Sequence, residues 1–236
     1  MPQPSYDILI GGFPAKAARG FLGWSTIVLL HTAKGYALFD TGGIGDRTGL
    51  MAALGKRGLG IDDISTVVLS HLHFDHMANA ECFPNAEIIL HEDEYAYVRE
   101  HGVADPAISM WQVEGLLRQQ LSLVSGELDV LPGMRMIRTP GHSGGHTSLV
   151  LTVDGKCVVL AQDAVKHRGE LASGQSAGAF DEEAAAASIK RIAQMADIVV
   201  PGHDGPIRIE NGVHIPSDVT TEIGLTLRAH SYVLEA

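Results

Sequence analysis

Three histidines and one aspartate within six positions give the clearest chemical signal in the chain. The segment 69–76 reads Leu-Ser-His-Leu-His-Phe-Asp-His and follows an apolar run, and its candidate ligands are His71, His73, Asp75 and His76. His71 and His73 are two residues apart, so on extended backbone their side chains project to one side. The turn that follows can bring Asp75 and His76 to a neighbouring point. Imidazoles mixed with a carboxylate suit zinc and also accept manganese, iron or cobalt, so the segment predicts a metal centre.

Three more candidate ligands each follow a predicted strand later in the chain. His142 ends the sequence Thr-Pro-Gly-His, Asp163 ends Ala-Gln-Asp, and His203 lies in Pro-Gly-His-Asp. Loops at one rim of a sheet assembly are where rigid scaffolds normally hold their functional side chains. The four segments together supply five histidines and two aspartates. This donor set is large enough for two metal ions.

The elements that must position these residues are short apolar strands alternating with helical patterns. Strands are predicted at 8–10, 25–30, 36–39, 66–69, 87–90, 134–138, 148–153, 156–160 and 197–200, the first three antiparallel at a sheet edge. Helices are predicted at 50–54, 92–100, 111–121, after an N-cap at Asp181, and from 216–218 onwards. Two strand-rich halves, each ending in helices, predict two sheets packed face to face with helices outside.

Length and composition set limits on the class of protein. The 236 residues fit one domain spanning 1–236, and 45% hydrophobic with 19% charged residues is typical of a soluble globular chain. A formal charge of −11 disfavours nucleic acid as a partner. Cys82 and Cys157 lie far apart in apolar contexts and indicate buried thiols. The N-terminus carries no basic residue before its first apolar run, and no apolar stretch is long enough for a bilayer, so we expect no membrane association and a cytoplasmic location.

The H-x-H-x-D-H motif and the three later segments, in this order from Asp40 to His203, resemble the metallo-β-lactamase superfamily. The resemblance implies an α+β fold, an αββα sandwich of two mixed β-sheets flanked by helices, with the site at one edge of the sheets. By position, the implied ligands of a first metal ion are His71, His73 and His142, and those of a second are Asp75, His76 and His203. Asp163 matches the carboxylate that bridges both ions. Asp40, in Phe-Asp-Thr-Gly, matches a carboxylate that orients a ligating imidazole.

Within the superfamily, the chain is most similar to the N-acyl homoserine lactonase branch, whose members act in quorum quenching. The similarity lies in segments 70–76, 83–86, 94–95 and 139–149. It implies that a hydroxide bridging two divalent ions, zinc by preference, opens a lactone or cleaves a small ester. Lys166 stands where such lactonases typically carry a tyrosine. Its ammonium is a candidate donor to the oxyanion, a ligand for a substrate carboxylate, or a solvated lysine without a role, and Asp75 or Asp163 is the candidate for protonating the leaving alkoxide.

Several alternatives remain open from the sequence. A mononuclear iron persulfide dioxygenase would use His71, His73 and either Asp163 or His142, and a glutathione thioesterase or β-lactam hydrolase would use the same ions as the lactonase. A non-catalytic binding module is the remaining class. We expect Phe74 to pack beneath the site and His146 to support a ligand. The apolar face 110–121 predicts core packing, a homodimer contact or an acyl pocket. The remaining histidines are expected to have surface or packing roles: His31, His91, His101, His167, His214 and His230.

Overall fold

Apolar alternation along the strands builds two mixed sheets in the computed structural model, which describes residues 4–18, 20–33 and 35–217. The strands are β1 (Ser5–Ile10), β2 (Lys16–Ala17), β3 (Gly20–Phe21), β4 (Ile27–Thr32), β5 (Gly35–Phe39), β6 (Ile64–Val68), β7 (Glu87–His91), β8 (Leu121–Val124), β9 (Leu128–Leu131), β10 (Met134–Arg138), β11 (Thr147–Val153), β12 (Lys156–Gln162), β13 (Ile198–Pro201), β14 (Ile207–Glu210) and β15 (Val213–Pro216). The helices are α1 (Arg47–Gly55), α2 (Phe74–Met77), α3 (Glu92–His101), α4 (Met110–Leu116), α5 (Arg168–Ser173) and α6 (Glu182–Met195).

Each sheet combines antiparallel and parallel strand pairs. The first sheet has the order β1-β4-β5-β6-β7-β8 and is parallel from β5 to β8. The second has the order β15-β14-β13-β12-β11-β10-β9, and only its β12 and β13 are parallel. Strands β2 and β3 form a separate two-stranded ribbon. Because parallel strands end at the same edge, the loops after β5 and β6 lie together on one sheet and those after β12 and β13 on the other.

Side-chain alternation divides the core into three layers. In β4, Val28 and Leu30 face the second sheet, whereas Ile27 and Leu29 face the helices. The middle layer joins the two sheets through Phe39 and Val68 on one side and residues such as Leu160 on the other. Helices α1, α3 and α4 cover the outer face of the first sheet, and α5 and α6 cover that of the second. The αββα sandwich is therefore confirmed.

The strand predictions agree closely with the structure, with one helix too long. The 134–138 strand is matched residue for residue, and Asp181 caps α6 by accepting a hydrogen bond from Ala184 N at 3.0 Å. The predicted helix 111–121 ends at Leu116, and Leu121 begins β8 instead, because it pairs with Ile88 of β7. Strands β2, β3, β9, β14 and β15 have no counterpart among the predicted strands. Pro216, at the predicted start of a C-terminal helix, is instead the last residue of β15. The rest of that predicted helix, from residue 218 on, lies outside the described residues.

The apolar face of α4 is split between the core and the surface. Val113 and Leu116 are buried against the first sheet, whereas Trp111 is 91% exposed. Core packing therefore accounts for part of the predicted apolar face 110–121, and the homodimer contact stays a prediction. Within residues 4–18, 20–33 and 35–217, no helix combines the length and apolar composition needed to cross a bilayer.

Candidate metal centre

Strand ends from both sheets bring the first three predicted ligands together. His71 and His73 follow β6, and His142 lies on the loop between β10 and β11. One ligand atom from each of the three residues lies within 4.8 Å of the others. The rings of His73 and His142 are 4.6 Å apart, and His142 Nε2 faces His73 Nδ1 at 2.9 Å. The three imidazoles are thus able to share one cation.

The other predicted set, Asp75, His76 and His203, also converges within 4.8 Å. Asp75 and His76 lie on the short helix α2, and His203 follows β13 in the second sheet. Asp75 Oδ2 is 3.4 Å from His203 Nε2 and 3.9 Å from His76 Nε2. Ser25 Oγ donates a hydrogen bond to the backbone carbonyl of Asp75. This second group supplies a carboxylate and two imidazoles to a neighbouring point.

Asp163 lies between the two sets and contacts both. Its Oδ2 is 3.2 Å from His142 Nε2 and 3.3 Å from His203 Nε2, and its Oδ1 is 3.3 Å from His76 Nε2. The side chain is almost fully buried. It follows β12, and the neighbouring Gly202 permits its position, since a Cβ there would lie 1.9 Å from Asp163 Oδ1. One carboxylate therefore links two groups of donors, as a residue bridging two ions would.

Asp40 anchors two of the imidazoles from behind. Its Oδ1 accepts from Ser70 N at 2.7 Å, and its Oδ2 accepts from Ser70 Oγ at 2.6 Å and His76 Nδ1 at 2.8 Å. Ser70 Oγ in turn lies 2.8 Å from His71 Nδ1. Since the Ser70 hydroxyl donates its only hydrogen to Asp40, its oxygen accepts a hydrogen bond from His71 Nδ1. Asp40 thereby keeps the proton of both rings on Nδ1, and its left-handed backbone (φ 58°) directs the carboxylate inward.

Within the described part of the chain, several buried ligand atoms lack a hydrogen-bond partner and thereby fit a bound cation. His71 Nε2, His76 Nε2 and Asp163 Oδ1 have no hydrogen-bond partner among the described residues. Buried polar atoms are rarely left in this state, because an unsatisfied group costs about 1–3 kcal/mol. His76 Nε2 and Asp163 Oδ1 lie 3.3 Å apart without hydrogen-bond geometry. The donor set of imidazoles and carboxylates is the type that holds zinc and related divalent ions.

The electrostatics of the cluster also favour positive charge. Burial would raise the pKa of Asp163, but His203, His76 and His142 hold it well below the usual value. Burial would lower the pKa of His76, yet Asp163 and Asp75 raise it well above normal. The pKa of His71 is lowered by burial and by the surrounding imidazoles, so that ring is neutral. A neutral His71 and an ionised Asp163 are the protonation states that metal ligands require, whereas a bound cation would displace the proton that Asp163 and Asp75 favour on His76.

Glu94 ties the two ligand loops of the first set together. This buried carboxylate accepts from Leu72 N at 2.9 Å, Ser143 Oγ at 2.6 Å and Gly145 N at 3.1 Å. A Cβ at Gly145 would lie 1.9 Å from Glu94 N, so the close approach requires glycine. Sequence reasoning gave Glu94 no role, because an acidic residue in the first turn of a helix is normally explained by the helix dipole.

Lys166, the candidate catalytic cation, follows Asp163 on the wall of a cavity. Its Nζ lies 3.0 Å from Glu170 Oε1 and 2.9 Å from Ser176 Oγ. The Lys166 backbone N–H also donates to Glu170 Oε2 at 2.7 Å. The lysine is therefore an anchored cation and not a freely solvated one. Among the described residues these two contacts are the partners of the ammonium, which leaves one N–H for a third.

The cavity beside the ligands has a volume of about 710 Å³, within the range of small-molecule sites. Its aromatic lining comprises Phe13, Phe21, Phe74, Tyr97 and Phe180. The lining contains none of residues 110–121, so the predicted acyl pocket on α4 is not part of it. Phe74, which we expected beneath the site, lies on the cavity wall with its ring 5.6 Å from that of Phe21.

The remaining histidines have varied surroundings. His91 and His167 accept hydrogen bonds at the starts of α3 and α5, and His31 lies 3.2 Å from Asp7. His101 and His167 also line the cavity, although we expected surface or packing roles. His146 is buried, which lowers its pKa to about 3, and its Nδ1 lies 3.0 Å from Thr139 Oγ1. His230 lies outside the described residues.

Comparison with known proteins identifies the family to which these features belong. Residues 19–203 match the Metallo-beta-lactamase superfamily. Over 209 residues the chain is 32% identical to mouse (Mus musculus) metallo-beta-lactamase domain-containing protein 1, covering 86% of this chain and 74% of that protein. It is 31% identical to the N-acyl homoserine lactonase of Bacillus cereus, covering 66% of this chain and 62% of the lactonase. The crystal structure of a quorum-quenching N-acyl homoserine lactone lactonase superposes with a TM-score of 0.67 at 25% identity, covering 85% of this chain and 91% of the other.

Proposed function

The chain belongs to the metallo-beta-lactamase superfamily, and on that premise we propose that it hydrolyses a lactone or another small ester at a pair of divalent metal ions. The observation that carries this proposal is the contact of Asp163 with both ligand groups. A mononuclear centre would leave Asp75, His76 and His203 without a purpose, whereas two ions would use every donor. Zinc is the ion that we favour, with manganese, iron and cobalt as alternatives.

The first ion would be held by His71, His73 and His142, and the second by Asp75, His76 and His203, with Asp163 shared. Two divalent ions held there would supply Lewis acidity toward a carbonyl oxygen and would acidify water. Asp163 is committed to the ligand cluster. Asp75 has a more accessible side chain, 16% against 4% exposed, and lines the cavity. We therefore assign to the carboxylate of Asp75 the transfer of a proton from the attacking water to the leaving alkoxide.

Lys166 is the residue that we expect to contact the substrate carbonyl or a substrate carboxylate. Glu170 and Ser176 hold its ammonium at the cavity wall, and its third N–H is free to donate to an oxygen that gains negative charge. The fixed position removes the entropy cost that a mobile lysine would incur on ordering. This arrangement gives the chain a charged donor where the lactonase branch carries a phenol.

The cavity supports a small, partly apolar substrate. Its aromatic rings, including Phe13, Phe74 and Phe180, would remove an acyl group from water. Similarity to N-acyl homoserine lactonases supports a lactone as the first substrate to test. The formal charge of −11 gives no support to a nucleic-acid substrate. Thioesters and β-lactams remain competing substrates at the same centre.

Metal analysis followed by a parallel substrate screen tests the proposal. Purified protein should contain about two equivalents of zinc or a similar ion and should release acid from acyl homoserine lactones or simple lactones. Thioesters, β-lactams, and oxygen uptake with glutathione persulfide form the comparison arms. Hydrolysis that persists after complete metal removal would refute the mechanism, and persulfide-dependent oxygen uptake with one iron would favour the dioxygenase.

A further inference from the structure

We propose that Asp105 is a positioning residue that selects which nitrogen of His73 binds metal, and that Tyr97 holds Asp105 in place. The three residues come from separate segments: the loop after β6, the loop after α3, and α3 itself. The inference rests on the metal centre of the proposed function and is independent of its substrate.

The contacts form a continuous chain from α3 to the centre. His73 Nε2 lies 3.1 Å from Asp105 Oδ2, and the Tyr97 hydroxyl donates to the same oxygen at 2.8 Å. Ala107 N donates to Asp105 Oδ1 at 2.9 Å. The Asp105 side chain is only 15% exposed, and those of His73 and Tyr97 are buried. Three donors therefore converge on one shielded carboxylate.

A carboxylate only accepts hydrogen bonds, so the His73 nitrogen that contacts Asp105, Nε2, carries a ring proton. The lone pair is then on Nδ1, the atom that faces His142 Nε2 at 2.9 Å inside the cluster. His71 and His76 have the opposite arrangement, because Ser70 and Asp40 hold their Nδ1 and leave Nε2 facing inward. Asp105 thus imposes on His73 a tautomer different from that of its neighbours.

The same loop connects the ligand to the cavity wall. Phe74 N donates to the Ala107 carbonyl at 2.8 Å, so the loop 104–107 is joined to the ligand segment by both backbone and side chain. Residues 104–107 also line the cavity, as does Tyr97. Displacement of this loop would move His73 as well. Asp105 therefore supports the centre from the side where substrate enters.

Asp105→Asn is the informative substitution because an amide cannot accept from all three donors. One of its two polar atoms becomes an N–H donor. In one amide orientation this N–H faces Ala107 N, and in the other it faces the donors of His73 and Tyr97. Tyr97→Phe keeps the carboxylate and removes one donor. Asp129→Asn is the matched control, since that carboxylate is 62% exposed on β9 and lies outside the metal cluster.

The test is zinc affinity of the full chain, measured by competition with a chromogenic chelator. We expect Asp105→Asn to weaken binding of one ion by roughly 10- to 100-fold, the usual effect of losing a residue that orients a ligand. Tyr97→Phe should give a smaller loss in the same direction, and Asp129→Asn should bind as the wild type does. Wild-type affinity in Asp105→Asn would overturn the inference.

Histidine ¹⁵N spectra of the zinc-loaded wild type provide a readout that needs no variant. Long-range ¹H–¹⁵N correlations should show His73 protonated at Nε2, whereas His71 and His76 should be protonated at Nδ1. Protonation of His73 at Nδ1 would overturn the inference even if Asp105→Asn fails to fold. A wild-type chain that binds none of zinc, manganese, iron and cobalt would overturn both proposals, but a failed lactone screen would overturn the proposed substrate alone.

Discussion

Replacement of Lys166 by methionine tests whether its ammonium contributes to the reaction or only to packing. Methionine keeps the length and apolar part of the side chain and removes the charge. If the free N–H of Lys166 donates to the oxyanion, loss of that donor should lower kcat by about 10²- to 10³-fold, the effect typical of removing one such donor. Bound zinc should stay at about two equivalents, because Lys166 belongs to neither ligand group.

A second effect must be separated from the first. Glu170 is buried and loses the Lys166 contact at 3.0 Å, but it keeps hydrogen bonds from Ser176 Oγ at 2.8 Å and from Lys166 N at 2.7 Å. Because Lys166 is itself 22% exposed, we expect a destabilisation near the lower end of about 1–3 kcal/mol. The double variant Lys166→Met/Glu170→Gln removes the unpaired charge and should recover part of this stability without recovering kcat.

The assay combines initial rates on the best lactone substrate, zinc content and thermal unfolding for both variants. Lys190→Met, on the exposed face of α6, is the control for loss of a lysine. Recovery of kcat in the double variant would assign the defect to misplaced Glu170. Wild-type kcat in Lys166→Met on every accepted substrate would remove Lys166 from the mechanism.

Two other perturbations have outcomes that follow from contacts in the fold. Gly202→Ala would place a Cβ 1.9 Å from Asp163 Oδ1, so metal analysis should find fewer than two ions per chain. The control Gly115→Ala, at a position with open space around it, should keep both ions. Two ions per chain in Gly202→Ala would contradict the assigned role of Asp163. Arg191 holds the pKa of Glu127 below its usual value through contacts of 2.5 and 2.9 Å. This pair therefore stabilises the fold above the unfolded pKa of about 4.3 and loses that contribution as pH falls through the lowered folded pKa. The unfolding free energies of wild type and Glu127→Gln should differ at pH 7 and converge on acidification below that folded pKa. A difference that stays constant with pH would exclude the ion pair as its cause.

Local patterns were sufficient for much of the secondary structure. Strand β10 and the N-cap of α6 were predicted because apolar alternation and capping chemistry are properties of neighbouring residues. The helix predicted over 111–121 was too long, since the pairing of Leu121 with Ile88 depends on a strand more than thirty residues away. Strands β14 and β15 flank Asn211-Gly212, a pair typical of a two-residue hairpin turn, and Ile207–Glu210 alternates apolar and polar residues. This hairpin was therefore predictable from local sequence, although it is absent from the predicted strands.

The sequence by itself determined the types and order of the candidate ligands, because their spacing around strand ends is a local feature. Their roles as metal ligands stay a prediction. Only the tertiary structure decided that Asp163 contacts both ligand groups. It also decided that Asp105 accepts a hydrogen bond from His73, and Asp40 one from His76. The ion pair between Glu170 and Lys166 is likewise a tertiary contact. Each of these contacts joins side chains whose separation depends on how two sheets and their loops pack. Such distances follow from the summed packing of the whole sandwich, which no short stretch of sequence encodes.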